Sequence, residues 1–181
     1  MTFIDEVTQA ARGCLAVLRG DRDAPEYFDL TLRGLTGSLI ALLVATGVAV
    51  HVPTAAAEGA ATLSPFGELL FGITVLAIWF MALYGFLRLI GLTERLVPYI
   101  VIHNWGSFYA SALLIAFSVV GFTGLMVPFV IGAVSLYFSL RAAWLVIAPR
   151  WSSIALVAAA QLAAAVLALL LLSSVLPAPP Q

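Results

Sequence analysis

The chain has 181 residues, of which 63% are hydrophobic and 9% are charged, and its formal net charge is −1. A soluble domain has about 25% charged residues, so this composition excludes a soluble enzyme and a disordered chain. The net charge also excludes a nucleic-acid-binding protein, because no basic surface is available for phosphates. What remains is an all-α integral membrane protein.

Residues 1–33 are predicted to form an amphipathic cytoplasmic helix followed by an acidic linker. Its predicted apolar face consists of residues that recur at helical spacing: Phe3, Ile4, Val7, Ala11, Cys14, Leu15 and Leu18. Gly20 is a typical residue at a helix end. The polar face carries charges of both signs, so we expect its apolar face to supply any binding to lipid. Two interpretations stay open: the helix lies on the membrane against the inner rim of the bundle, or it docks a partner protein.

The acidic linker contains four carboxylates: Asp21, Asp23, Glu26 and Asp29. In a calcium-binding loop that began at residue 21, a glycine would stand at position 26 and a bidentate acid at position 32. The sequence has Glu26 and Leu32 there. The chain also has one cysteine, Cys14, which excludes an internal disulfide and a multi-thiolate site. We therefore predict no metal site and no cofactor.

Residues 34–181 are predicted to form five transmembrane helices. A helix needs about 20 apolar residues to cross the hydrocarbon core of a bilayer. The stretches between charged residues give spans at about 35–55, 66–87, 97–118, 123–141 and 152–176. The third and fourth spans share one uncharged stretch, and Gly121 and Gly124 mark the predicted turn between them.

All eight basic residues are arginines, and five spans place every one of them on the same side of the membrane. The positive-inside rule makes that side cytoplasmic. We therefore expect a bacterial inner (plasma) membrane protein with its N-terminus in the cytoplasm and its C-terminus in the periplasm, surrounded by the lipid bilayer. The predicted interface anchors on the cytoplasmic side are Tyr99, Tyr137, Trp144 and Trp151.

Small residues repeat every four positions in the first span, at Gly37, Ala41, Ala45 and Ala49. Small residues at this spacing let the backbones of two helices approach closely. The stripe therefore predicts a helix-packing surface. Packing within this chain is one interpretation, and self-association or contact with another membrane protein is the other.

The third span contains the most informative polar residues, because polar side chains at membrane depth should face protein or water. The candidate polar seam comprises His103, Asn104, Ser107, Ser111 and Ser118 of the third span with Ser135 and Ser139 of the fourth. A hydrogen-bond seam between helices and a polar cavity for a solute or a proton both fit this pattern. Catalysis is not expected, because no span interior contains a carboxylate that could orient a catalytic histidine.

Two segments resemble those of small bacterial polytopic membrane proteins: RGDRDAPEYFDLTLRG before the first span and VPYIVIHNWGSF entering the third. The pattern of that group has aromatic residues in place of Leu35-Thr36-Gly37 and a tyrosine in place of His103. The group is loosely similar to the five-span Yip1-type family, whose members act in membrane organisation and trafficking. The resemblance implies a scaffold or adaptor without enzymatic residues. A small permease or transporter subunit that uses the polar seam is the alternative, and an intramembrane enzyme comes third.

Overall fold

The computed structural model describes residues 3–49, 65–122, 126–147 and 151–175, and these parts contain helices and turns but no strand. The helices are α1 (Phe3–Arg19), α2 (Leu32–Ala49), α3 (Pro65–Leu89), α4 (Leu96–Val119), α5 (Met126–Val146) and α6 (Trp151–Val175). Short 3-10 helices at Ala24–Tyr27 and Thr93–Arg95 precede α2 and α4. The predicted all-α class is confirmed for this part of the chain.

Three segments in the described ranges are long and apolar enough to cross a membrane: Gly72–Leu89, Thr93–Val119 and Phe129–Val146. They coincide with α3, α4 and α5, and α2 contains a shorter apolar segment, Leu32–Ala45. These lengths agree with a membrane location. The predicted end of the first span beyond residue 49 and the last residue of the fifth span lie outside the described residues.

Helix α5 extends beyond the predicted end of the fourth span, which the prediction places at Arg141. The predicted fourth span stops at residue 141, whereas α5 continues through Arg141 to Val146. A long arginine side chain can extend sideways to a polar environment, so it does not need to end a helix. At the other end of the hairpin, α4 ends at Val119, and Gly121 follows with a φ of +88°, which glycine adopts without strain. The predicted Gly124 lies outside the described residues.

The buried core lies at one end of the helix bundle. In α4 the buried side chains run from Tyr99 to Trp105, whereas Leu113 and Phe117 farther along the helix are exposed. In α5 the buried side chains are in the second half, from Phe138 onward. Because α4 and α5 are antiparallel, the first half of α4 meets the second half of α5, and both contribute to the same core.

Helix α1 packs against this end of α4 and α5 and contributes to the same core. Its inward face consists of small residues around Gly13, where a Cβ would lie 2.5 Å from the ring of Phe28. The predicted apolar face is inward in part: Cys14 is buried, and Val7 and Leu18 pack against the core. Ile4 and Leu15 of that face are 76% and 54% exposed. The physical reason is the close contact of α1 with the linker at Gly13, where the Phe28 and Tyr27 side chains leave no room for a Cβ.

Candidate functional site

Four polar side chains from three helices meet within the buried end of the bundle. Tyr99 and His103 lie one turn apart on α4, Ser139 lies on α5, and Gln161 lies on α6. The Ser139 hydroxyl oxygen is 2.7 Å from the Tyr99 hydroxyl and 3.3 Å from Nδ1 of His103. It also accepts a hydrogen bond from Nε2 of Gln161. We call Tyr99, His103, Ser139 and Gln161 the polar cluster.

The hydrogen bonds of the polar cluster favour one arrangement of its protons. A serine hydroxyl donates one proton and accepts two hydrogen bonds, and the amide nitrogen of Gln161 can only donate. If Tyr99 also donates to Ser139, the Ser139 proton is directed at Nδ1 of His103. The reverse direction leaves the Tyr99 proton without an acceptor in the cluster. The cluster therefore favours a neutral His103 with its proton on Nε2.

Aromatic packing connects α3 to the polar cluster. The ring of Trp79 on α3 stacks on the imidazole of His103, with centroids 4.4 Å apart and an interplanar angle of 24°. The ring of Tyr99 lies 5.9 Å from the same imidazole. Trp79 and Tyr99 are both buried, and His103 is half-buried. The cluster consequently joins α4, α5 and α6 by hydrogen bonds and adds α3 by ring stacking.

The predicted polar seam is divided between two faces of α4. Successive residues of a helix point about 100° apart, so His103 and Asn104 meet different neighbours. Asn104 is fully buried, and its Nδ2 donates to the Ser38 hydroxyl of α2 at 3.2 Å. Ser38 in turn donates to the Leu35 carbonyl at 2.9 Å. The Oδ1 atom of Asn104 is buried and has no hydrogen-bond partner.

The remaining seam candidates make no hydrogen bond between helices to any described residue. Ser107, Ser111 and Ser135 are half-buried, and the Ser118 hydroxyl donates to the Leu114 carbonyl of its own helix at 2.9 Å. The serines of α4 lie beyond Trp105, where the buried core ends. Of the seven predicted residues, the structure brings His103 and Ser139 together.

Two members of the polar cluster were missed by the sequence interpretation. Tyr99 was predicted to be an interface anchor, but it is fully buried and bonded to Ser139. Gln161 stands alone among alanines in the last span. An isolated amide at membrane depth needs a partner on another helix, so Gln161 carried a signal that could have added α6 to the prediction.

The small-residue stripe of α2 faces the interior. Ala41 and Ala45 are buried, and α2 packs along α4 more extensively than any other pair of described helices. Gly37 lies against the Glu6 side chain of α1. The side chain of Ala49 lies outside the described residues. The stripe therefore serves packing within this chain over its described length.

The linker carboxylates do not gather around a common point. The described residues contain no group of three or more His, Cys, Asp or Glu side chains that could hold a metal ion. Asp29 instead accepts hydrogen bonds from the Thr31 hydroxyl and the Thr31 backbone N–H, and these bonds lower the pKa of its carboxyl. Burial raises the pKa of the Cys14 thiol to about 12, so this residue is a poor nucleophile.

Comparison with protein-family models, with curated proteins and with solved structures finds no match for this chain. The resemblance to Yip1-type proteins stays a prediction.

Proposed function

We propose that this chain is a non-enzymatic scaffold or adaptor in a bacterial inner membrane, with five transmembrane helices α2 to α6. The N-terminus and α1 lie on the cytoplasmic side, and the C-terminus lies in the periplasm. The three segments that are long and apolar enough to cross a membrane support the central part of this topology. The apolar composition of α2 and α6 extends the same argument to both ends of the bundle.

The placement of arginines supports the orientation. Arg33 lies at the start of α2, Arg88 at the end of α3, Arg95 just before α4 and Arg141 in the last turns of α5. Alternating spans bring these four residues to one side, which the positive-inside rule makes cytoplasmic. The buried core and α1 lie at that same end of α4 and α5.

The observation that carries the proposal is that the Ser139 hydroxyl has all its hydrogen-bond partners within the protein. Ser139 is 2% exposed, and Tyr99, His103 and Gln161 surround its oxygen. Polar groups that bond to one another across helices hold a bundle together in lipid, where hydrophobic association between helices is weak. The polar cluster is therefore better suited to fixing helix positions than to passing a solute.

Two alternatives each have one observation in their favour. The polar cluster includes His103, whose side chain can take up and release a proton, and this fits a small permease or transporter subunit. The contact of Ser139 with Nδ1 of His103 resembles a nucleophile and its base, which fits an intramembrane enzyme. The deep burial of Ser139 disfavours the enzyme, because a nucleophile must reach its substrate.

The linker supplies the cytoplasmic contact surface in this proposal. Tyr27 is 41% exposed, and Asp23 and Glu26 just before it are exposed. Tyrosine is enriched among the residues that anchor protein contacts.

A photo-crosslinking amino acid, p-benzoylphenylalanine, placed at Tyr27 in native membranes tests the scaffold proposal. We expect a covalent adduct with one discrete protein, which mass spectrometry can identify. This adduct should still form when the membranes are diluted before irradiation. The matched control is the same group at Ile73, an exposed position on α3, where we expect adducts with lipid. Lipid adducts alone at both positions would contradict a scaffold. Labelling of Ser139 by a fluorophosphonate would favour the enzyme.

A further inference from the structure

Helix α1 meets α2 and α4 through a contact that contains two buried acceptor atoms without a hydrogen-bond partner. Glu6 of α1 lies against Gly37 of α2, where a Cβ would be 2.7 Å from Oε1 of the Glu6 carboxyl. This Oε1 atom is buried and has no hydrogen-bond partner. Ser38, the next residue of α2, binds the amide nitrogen of Asn104, and Oδ1 of Asn104 is likewise buried without a partner. Two unsatisfied acceptors thus flank one turn of α2.

Contacts on both sides of Glu6 hold this part of α1 against α4. The ring of Phe3 lies 6.4 Å from the ring of Trp105, and the Tyr109 hydroxyl donates to the Val7 carbonyl. Glu6 is half-buried, and these contacts hold the Oε1 side of its carboxyl against α2. An ionised carboxylate with one oxygen buried away from donors is disfavoured relative to the protonated form. A protonated carboxyl has an O–H donor and loses its charge.

The charged groups near Glu6 come from the linker and from α2. Burial raises the pKa of the Glu6 carboxyl above its ordinary value of 4.5, the negative charge of Asp29 raises it further, and Arg33 acts in the opposite direction. From its own helix, Asp5 is the adjacent charge, and α4 contributes the neutral Asn104, Trp105 and Tyr109 to this region. The groups that raise the pKa therefore outweigh the one that lowers it.

We propose that Glu6 is a protonation switch for the docking of α1: the helix binds α2 and α4 when Glu6 is protonated and detaches, Cys14 included, when Glu6 ionises. The sign follows from linkage. Glu6 has a higher pKa in the docked state than in the undocked state. At a pH below the undocked pKa, its contribution to docking is fully present. That contribution is lost as the pH rises through the docked pKa. Docking therefore weakens as the pH rises above about 4.5. The switch does not depend on the proposed scaffold function.

The single cysteine of the chain reports the docking of α1 directly. Cys14 is buried on the inward face of α1, and detachment of the helix exposes its thiol. The test uses the full chain in lipid nanodiscs and 4,4′-dithiodipyridine, which reacts with thiols from acidic to alkaline pH. The labelling rate of the wild type is divided by that of Glu6→Gln at each pH, so that the intrinsic pH dependence of the thiol cancels.

We expect this rate ratio to be about 1 at pH 4.5 and to rise at least about threefold by pH 8, because opening of α1 exposes the thiol. Glu26→Gln is the matched control, since Glu26 is an exposed carboxylate of the linker. Its rate relative to wild type should stay constant with pH. A ratio that stays flat for Glu6→Gln would overturn the switch, as would fast labelling of Glu6→Gln at every pH. Glu6→Ala provides a second neutral variant if Glu6→Gln does not fold.

Discussion

Replacing Gly34 by alanine is expected to lower the free energy of unfolding by about 2 kcal/mol or more. A Cβ at residue 34 would overlap the carbonyl oxygen of Asp29 and lie 2.6 Å from its carbonyl carbon. Both are backbone atoms of the linker, which cannot turn aside as a flexible side chain can. The first turn of α2 would have to move away from the linker that connects it to α1.

Gly85→Ala is the matched control for this prediction. Gly85 lies within α3, and a Cβ there would have no atom within 4 Å. Alanine is favoured over glycine in a helix interior by about 1 kcal/mol, so Gly85→Ala should be as stable as the wild type or slightly more stable. Chemical denaturation in one detergent measures both variants. Equal unfolding midpoints for Gly34→Ala and the wild type would show that the linker does not contact α2 in this way.

Truncating Trp105 to alanine should have the largest effect of any single side-chain removal, a loss of about 3–5 kcal/mol of stability. Trp105 is 1% exposed, and its ring meets Phe108 edge-on at a centroid distance of 5.6 Å. It also lies near Phe3, so it connects α1 with α4. Its removal leaves a cavity where the buried core of α4 ends. Thermal unfolding followed by circular dichroism measures the loss.

Trp151→Ala is the control, because Trp151 is 79% exposed at the start of α6. Removal of an exposed side chain changes stability by about 0.5 kcal/mol or less. If the two tryptophan variants have the same unfolding temperature, Trp105 is not enclosed by protein. The described packing of α1 on α4 would then be incorrect.

The hydrophobic pattern was sufficient to predict that the described parts of the chain are helical, because long uncharged stretches have few alternatives in lipid. It did not predict which way each helix faces. The face of α1 that packs inward is lined by Gly13 and Cys14, whereas Ile4 and Leu15 point outward. The inward face of α1 is the one that can come close to the linker, because small residues there allow close contact. The hydrophobicity of a residue does not show how closely two segments approach.

The candidate site was partly predictable for a related reason. His103 and Ser139 stood out as polar residues at membrane depth, and they do meet. Asn104, which the seam grouped with them, contacts α2 instead, because neighbouring residues on a helix diverge by about 100°. Gln161 joins from α6, the next helix after α5, and periodicity within one helix carries no information about pairing between helices.

The most direct test of the central claim, that the polar cluster fixes helix positions, is a double-mutant cycle between Ser139→Ala and Gln161→Leu. Unfolding free energies are measured in lipid for the wild type, both single variants and the double variant. We expect a coupling energy of about 1 kcal/mol, because both substitutions remove the same hydrogen bond between α5 and α6. The cycle of Ser118→Ala with Gln161→Leu should be additive, since Ser118 bonds within α4. Additivity in the Ser139 cycle as well would contradict the claim.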